Sequence, residues 1–214
     1  MESKTTNKGL KFINNYRQVI ILLAEIIIFS LISSRFLSVG NLTNVLKQVS
    51  INAILAAGVS FAIILGGIDI SIGSVVGFTG AIAAALVVRD IPLVVVILAT
   101  LAIGAVAGLI NGVFIAYFDL QPMIVTLATQ IIFRGIAEIV LGSGGSISVT
   151  NTEGFAALGG KVGRVPYILF LVLILGIIAA VILGKCTFGR RVYAIGTNRL
   201  AAYYSGIHVQ KIRF

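Results

Sequence analysis

The sequence predicts an all-α protein, a polytopic bundle of transmembrane helices, and three observations carry this prediction. Hydrophobic residues fill 58% of the 214 positions and charged residues only 11%, less than half of the roughly 25% found in soluble domains. The mean hydropathy is +1.11. Three stretches, at positions 48–68, 91–118 and 165–184, contain no charged residue, and each is long enough for the ~20 residues with which a helix crosses a bilayer.

The pattern of apolar runs and polar breaks predicts about six spans. The first follows a polar, basic segment, and no small-residue cleavage pattern comes after it, so we interpret it as a retained helix and not as a signal peptide. The turns "RDIP" and "FDLQP" separate the third, fourth and fifth spans, and a Gly/Ser-rich loop at 142–166 precedes the sixth. Short or re-entrant helices would raise the count. The predicted spans are residues 19–34, 49–66, 72–88, 93–111, 123–141 and 167–184.

Lys and Arg residues predict the orientation, because they are enriched in cytoplasmic loops. With the N-terminus inside, ten of them lie on the cytoplasmic side and five on the other. The ten are Lys4, Lys8, Lys11, Arg17, Lys185, Arg190, Arg191, Arg199, Lys211 and Arg213, and the five are Arg35, Lys47, Arg89, Lys161 and Arg164. Topology thus accounts for the net charge of +9, and no nucleic-acid partner is expected.

This orientation divides the chain into three parts. Residues 1–18 form a basic, cytoplasmic N-terminal segment, residues 19–184 form the transmembrane bundle, and residues 185–214 form a cytoplasmic loop. Glycines at small-x-x-x-small spacing predict close helix packing inside the bundle, since helices in lipid associate through small faces. The two sets are Gly73/Gly77 and Gly104/Gly108/Gly112.

Ionisable residues within the apolar segments are costly and usually face a partner or a cavity. Arg134 and Glu138 lie four residues apart in the fifth span, on one helical face. We interpret them as an intramembrane ion pair with a packing role, in preference to a role in transport.

Asp69 lies between the second and third spans and leaves two interpretations open. Gly66 and Gly67 tolerate conformations that break a helix, and Asp69 or Ser71 would then cap the next helix. The segment is either a broken span that lines a polar cavity for solutes or a short cytoplasmic turn. The residue types by themselves favour the turn slightly.

Four stretches of the sequence, in order along the chain, carry a family resemblance. They are "GGIDISIGSVVGFTG" (66–80), "GLINGVFIAYFDLQPMIVTLAT" (108–129), "FRGIAEIVLGSGGSI" (133–147) and "TFGRRVYAIGTNRLAAYYSGIHVQKIR" (187–213). Together they resemble the permease subunits of bacterial sugar ABC importers of the ribose, xylose and galactoside branch. Met123 stands where that family usually has Phe.

The last stretch carries the mechanism that the resemblance implies. In ABC importers a short cytoplasmic permease helix, with the consensus E-A-A-x-x-x-G, docks into the ATPase subunit. Alanines favour helix, and a glycine lets the chain turn afterwards. Leu200 replaces the consensus Glu, and Thr197 replaces the second Gly of the family's G-G-N. We favour a coupling helix over an ordinary basic loop, and assign to it Asn198, Leu200, Ala201, Ala202, Ser205 and Gly206.

The resemblance implies a sugar permease of the bacterial plasma (inner) membrane, for the pentose and hexose class. A neutral polyol needs hydrogen-bond donors and acceptors more than net charge, and the substrate-pathway candidates are Asp69, Ser71, Asn111 and Thr126. The implied partners are an ABC ATPase, a periplasmic or lipid-anchored sugar-binding protein, a second permease copy or paralogue, and the lipid bilayer.

No enzyme activity is expected. The sequence has no phosphate-binding loop, one His and one Cys, so we expect no catalytic residue, no metal site and no cofactor bound by this chain. The ATPase partner would use the magnesium-bound ATP.

Two other functions remain open. One is a cation-coupled secondary transporter with Asp69 as the ion site, and the other is a branched-chain amino acid-type ABC permease. Permeases of the resembled family continue for about a hundred residues beyond the position of Phe214, enough for several more helices. We therefore expect the chain to be a truncated or partial permease that does not move solute alone.

Overall fold

The computed structural model describes residues 8–142, 144–149, 159–163 and 165–214, and nearly all of its regular structure is helical. The predicted all-α fold class is thereby confirmed. Lys4 and Arg164, two of the residues in the orientation count, lie outside the described residues.

The chain forms two compact units, Met1–Gln48 and Val49–Phe214. In the first unit, helix α1 (Lys8–Ile32) has a non-helical residue, Tyr16, with φ −110° and ψ 15°. Much of the segment 1–18 that was predicted to precede the bundle is therefore already helical. The prediction missed this because the segment is polar, and hydropathy detects only the apolar part of a helix.

Helix α2 (Val39–Ile64) begins ten residues before the predicted span at 49–66. Ser38 Oγ accepts a hydrogen bond from the backbone N–H of Asn41 at 3.3 Å, which satisfies one of the unpaired donors at the start of a helix. The Asn41 amide closes the preceding turn by donating to the carbonyl of Phe36 at 2.7 Å. A local cap therefore sets the start of α2, which lies earlier in the chain than the start predicted from the hydropathy pattern.

The second unit contains helices α3 (Ile72–Val87), α4 (Leu93–Ala116) and α5 (Pro122–Leu141), with α3 packed against both of the others. The rings of Phe78 and Phe133 stack between α3 and α5, with their centroids 5.6 Å apart.

Helix α4 continues to Ala116, five residues past the predicted end at Asn111, and Asn111 is buried inside it. The helix ends only just before Asp119, which has a positive φ of 52°.

The predicted loop at 142–166 contains two short strands in its described part, β1 (Lys161–Val162) and β2 (Val165–Pro166), which pair antiparallel. Helix α6 (Tyr167–Lys185) follows them and has no buried residue among its 19 positions. Most of its surface is therefore available to lipid or to other protein, and the rest packs against the following helix, which begins at Thr187.

The predicted cytoplasmic loop 185–214 is itself helical, with α7 (Thr187–Thr197), α8 (Arg199–Tyr204) and α9 (Val209–Arg213). Ile195, Ala202 and Val209, one from each helix, form an apolar cluster that Leu65 contacts at the end of α2. These three helices are hereafter the C-terminal hairpin set. Helix α8 lies within the segment that the resemblance predicted as a coupling helix, whereas α7 and α9 were not predicted.

Within the described residues, four helices are long and apolar enough to cross a membrane: α2, α4, α5 and α6. Helix α3 is also apolar but has only 16 residues, about 24 Å of helix. The structure therefore agrees with a polytopic helical membrane protein.

Candidate functional site

The candidate site begins where two glycines unwind the chain between α2 and α3. Gly66 has a φ of +82°, which costs a side-chain-bearing residue steric strain. A Cβ at Gly67 would lie 3.4 Å from Pro122, at the start of α5. The unwound segment therefore passes close to α5 and places Asp69 in the turn before α3.

Asp69, Ser71 and Asn111 form a continuous chain of hydrogen bonds. The Oδ1 of Asp69 accepts from the backbone N–H of Ser71 at 2.8 Å and from its hydroxyl at 2.7 Å. The Nδ2 of Asn111 donates to the same hydroxyl at 2.9 Å. Ser71 is 1% and Asn111 6% exposed, so the contact between α4 and the turn is buried, while Asp69 at the other end of the chain is partly exposed.

The expected capping of α3 takes a different form. Ser71 occupies the N-cap position, but its side chain accepts no backbone N–H of the helix. The hydroxyl proton goes to Asp69, and the oxygen receives the amide of Asn111. Asp69 instead closes a side-chain turn over Ser71, the local pattern typical of Asp before a helix.

Thr126 joins α5 to the same cluster. Its hydroxyl donates to the carbonyl of Ile68 at 3.2 Å, and the side chain is fully buried. The four residues proposed for a substrate pathway come from three separate segments, and the structure brings all four together. Their contact with solute stays a prediction.

A cleft of about 220 Å³ opens beside this cluster, just under the roughly 300 Å³ at which small-molecule pockets begin. Its lining includes Asp69, Asn111, Thr126, Arg213 and Phe214. The Oδ1 of Asn111 is buried and has no hydrogen-bond partner among the described residues. Buried acceptors are nearly always paired, so this oxygen is suited to a donor from a ligand.

Helix α8 covers the segment proposed for coupling and is closed at both ends by local hydrogen bonds. The Oδ1 of Asn198 accepts from the N–H of Ala201 at 3.0 Å, a side-chain N-cap. At the other end Gly206 has a φ of +81°, and the N–H of Ile207 reaches the carbonyl of Ala202 at 3.1 Å, as in the Schellman motif.

The two faces of α8 differ. Ala202 is buried in the apolar cluster of the C-terminal hairpin set, while Leu200, Tyr203 and Tyr204 are exposed. Ser205 ends the helix, and its hydroxyl donates to the carbonyl of Ala201 at 2.8 Å. The helix therefore presents an apolar and aromatic face outward.

Asp119, in the turn between α4 and α5, is a residue that the sequence analysis missed. Its Oδ1 accepts from Arg199 at 2.8 Å and from Arg213 at 2.9 Å. These hydrogen bonds, first from Arg199 and then from Arg213, lower the pKa of the Asp119 carboxyl. A signal was present, because residues 185–214 contain six basic residues and no acidic one.

Comparison with known proteins decides the family. Residues 41–214 match the family described as branched-chain amino acid transport system / permease component. The chain belongs to this permease family. No solved structure matches it.

Three relatives of the permease have sugars in their names. A ribose import permease protein of Haemophilus influenzae is 39% identical over the full chain, which spans 67% of the relative. A galactose/methyl galactoside import permease protein of Escherichia coli is 38% identical, over 89% of the chain and 62% of the relative. An Escherichia coli D-allose transport system permease protein is 31% identical, over 98% of the chain and 64% of the relative.

The chain thus spans 62–67% of the length of these relatives. They confirm the family resemblance drawn from the motifs and support neither the cation-coupled carrier nor the amino acid branch. The permease is a multi-pass protein of the inner membrane, in keeping with its apolar helices.

Arg134 and Glu138 of the permease lie apart from the cleft. The Nε of Arg134 contacts Oε1 of Glu138 at 3.3 Å, and the two side chains are 76% and 69% exposed on the surface of α5. They neutralise one another on an outer face of the described unit.

We expect Glu138→Gln to lower the amount of permease inserted in the membrane, because it leaves the Arg134 charge unpaired in an apolar span. Insertion scales put a charge at mid-helix at about 2.5–3.5 kcal/mol. The double variant Arg134→Gln/Glu138→Gln should restore most of the loss. Quantitative immunoblotting of washed membranes measures both. Equal losses in the single and double variants would show that neutralisation is not what the pair supplies.

Proposed function

We propose that the chain is the membrane-spanning component of an ABC importer that moves a pentose or hexose sugar into the cytoplasm, driven by a separate ATPase. The observation that carries the proposal is the set of relatives, which are named as sugar import permeases and are 31–39% identical over nearly the whole chain. Because the chain spans about two thirds of their length, the proposal concerns the complete transporter.

The chemistry of the cleft supports a sugar as the solute. A sugar is a neutral polyol whose hydroxyls both donate and accept hydrogen bonds. Asp69 and Asn111 line the cleft, and the unpaired Oδ1 of Asn111 is an acceptor that a hydroxyl would satisfy. Thr126 also lines the cleft, with its hydroxyl engaged by the Ile68 carbonyl, and the hydroxyl of Ser71 supports Asp69.

The arrangement of the C-terminal hairpin set supports an ATPase subunit as a partner of the chain. We propose that the exposed face of α8, with Leu200, Tyr203 and Tyr204, docks on the ATPase subunit, which binds and hydrolyses magnesium-bound ATP. In this scheme a sugar-binding protein delivers solute at the opposite face, and a second permease copy or paralogue completes the membrane part. Both ends of the chain then lie in the cytoplasm, in agreement with the excess of Lys and Arg there.

The test is solute uptake in the cell that makes the protein. An in-frame deletion of its gene, with and without a plasmid-borne copy, is assayed with radiolabelled ribose, galactose, allose and leucine. We expect the uptake of one sugar to be lost and then restored by the plasmid. It should also depend on cellular ATP and persist when an uncoupler dissipates the proton gradient. Loss of leucine uptake alone, or collapse with the uncoupler, would refute the proposal.

A further inference from the structure

One carboxylate oxygen connects three elements of the second unit. Oδ1 of Asp119, in the turn between α4 and α5, lies 2.8 Å from Nη1 of Arg199 and 2.9 Å from Nη1 of Arg213. Arg199 is the first residue of α8, and Arg213 is the last residue of α9. The turn is thus bound to both of the short helices that follow α7.

Arg213 also belongs to the wall of the cleft. It lines the cleft together with Phe214, Asp69 and Asn111, and its side chain is only 12% exposed. The ring of Phe214 packs edge-on against Tyr117, with the centroids 5.5 Å apart. The same few residues therefore contact the cleft and the turn that contains Asp119.

We propose that Asp119 is a positioning residue that keeps the ATPase-docking helix α8 in register with the wall of the cleft formed by Arg213. The inference rests on the proposed function, because it takes α8 as the docking element. When α8 is displaced, Arg199 moves with it and shifts Asp119 through their ion pair. Asp119 in turn shifts Arg213, which changes the wall of the cleft that faces the solute. The backbone favours this role, since an Asp with positive φ holds its side chain in a fixed, sharply turned segment.

The energetics indicate an effect on coupling more than on folding. Ion pairs at exposed sites contribute little to stability, about 0–1 kcal/mol each, and both Asp119 and Arg199 are largely exposed. Arg213 is mostly buried, and a buried charge without a partner is unfavourable. Removal of the Asp119 charge therefore breaks the ion pair that holds Arg199 of α8. It also breaks the ion pair with Arg213, whose charged side chain must then find another position.

Asp90 provides a matched control. It lies in the turn between α3 and α4 and has a φ of 56°, close to the 52° of Asp119. Asparagine tolerates positive φ as well as aspartate does, so Asp→Asn removes the charge at either position without straining the turn. In the described part of the chain Asp119 forms two ion pairs, and none is found at Asp90.

The first experiment needs no solute. A nitroxide label is attached at position 204, in a Tyr204→Cys variant whose native exposed Cys186 is changed to Ser, and its mobility is measured by electron paramagnetic resonance in the membrane-embedded permease. We expect Asp119→Asn and Arg199→Gln to increase the mobility of the label, and Asp90→Asn to leave it unchanged. If Asp119→Asn fails to fold, the exposed Arg199→Gln variant decides. Unchanged mobility overturns the inference.

The second experiment measures coupling in the complete transporter, with its ATPase and binding protein, in proteoliposomes. We expect Asp119→Asn to retain the ATPase and its basal hydrolysis while the number of sugars moved per ATP falls severalfold. Arg213→Gln should produce the same loss, and the double variant should lose no more, since the two residues act through one contact. A wild-type ratio in Asp119→Asn, or additive losses, overturns the inference. Failure of the wild type to move any sugar would instead count against the proposed function, and the label mobility would still decide the role of Asp119.

Discussion

Gly196→Ala should separate α7 from the end of α2 and sharply reduce the amount of folded permease. A Cβ at position 196 would overlap the backbone carbonyl oxygen of Ile64 and lie 3.0 Å from its carbonyl carbon. Neither atom belongs to a side chain that can change rotamer, so one of the two helices must move. Overpacking costs about 1–3 kcal/mol and occasionally more, and with backbone on both sides we expect a loss of about 3 kcal/mol.

Gly184→Ala is the matched control for this prediction. A Cβ at position 184 meets no atom within 4 Å, and alanine is favoured over glycine in a helix by about 1 kcal/mol. The midpoint of thermal unfolding, followed by fluorescence-detected size-exclusion chromatography, should fall for Gly196→Ala and stay equal or rise for Gly184→Ala. Equal midpoints for the wild type and Gly196→Ala would contradict the close approach of α7 to α2.

The glycine pattern shows how far sequence spacing predicts packing. The spacing of Gly73, Gly77, Gly104 and Gly108 predicted close helix contacts, yet a Cβ at Gly73, Gly77 or Gly108 would meet nothing within 4 Å, and one at Gly104 only Thr79 at 3.8 Å. Within the two predicted sets the tight approach is at Gly112, where a Cβ would lie 2.9 Å from the carbonyl oxygen of Phe214, and further tight approaches occur outside the sets, among them at Gly189 and Gly196. Spacing along one helix identifies a small face but contains no information about which element contacts it.

The helices themselves were predictable where apolar composition alone is enough to identify a membrane span. Long apolar runs identified α4, α5 and α6, because a span must be predominantly apolar over about 20 residues. The errors are at ends and in short elements. The start of α2 depends on a hydrogen bond from Asn41 to Ser38, and the end of α4 on the conformation near Asp119. Such local contacts leave little trace in hydropathy.

The candidate site was predicted through family motifs and not through spacing. Ser71 and Asn111 are 40 residues apart, and Ile68 and Thr126 are 58 apart, distances at which no periodic pattern connects two positions. Asp119 matched no motif residue, and its partners are 80 and 94 residues away. The excess of basic residues at 185–214 indicates that an acidic partner is needed, but only the fold shows that Asp119 is that partner for Arg199 and Arg213.

Asp69→Asn should weaken solute uptake without unfolding the permease, which separates the two interpretations of this residue. Oδ1 of Asp69 accepts both hydrogen bonds from Ser71, and asparagine keeps an oxygen that can accept them. The charge is lost, and an NH₂ donor replaces the second oxygen beside the cleft. If that oxygen binds a sugar hydroxyl, the lost hydrogen bond is worth about 1.5–3 kcal/mol, at least about tenfold in the transport KM.

Asn111→Ala tests the same cluster from the side of α4 and should affect stability as well. It removes the donor to Ser71, whose buried hydroxyl oxygen then loses its partner, at a cost of about 1–3 kcal/mol. It also removes the unpaired Oδ1, so both the unfolding midpoint and uptake should fall. Asp90→Asn, in a turn that does not line the cleft, serves as the control for Asp69→Asn.

Radiolabelled sugar uptake in the complete transporter and the thermal midpoint of the same preparations give the two quantities needed. A raised KM with an unchanged midpoint assigns Asp69 to the solute pathway, because the turn is then intact while the solute contact is lost. A loss of uptake accompanied by a lowered thermal midpoint assigns Asp69 to the turn. This is the interpretation that the residue types by themselves slightly favour. Wild-type values for both quantities would exclude Asp69 from either role, since the carboxylate would then contribute nothing that the amide does not.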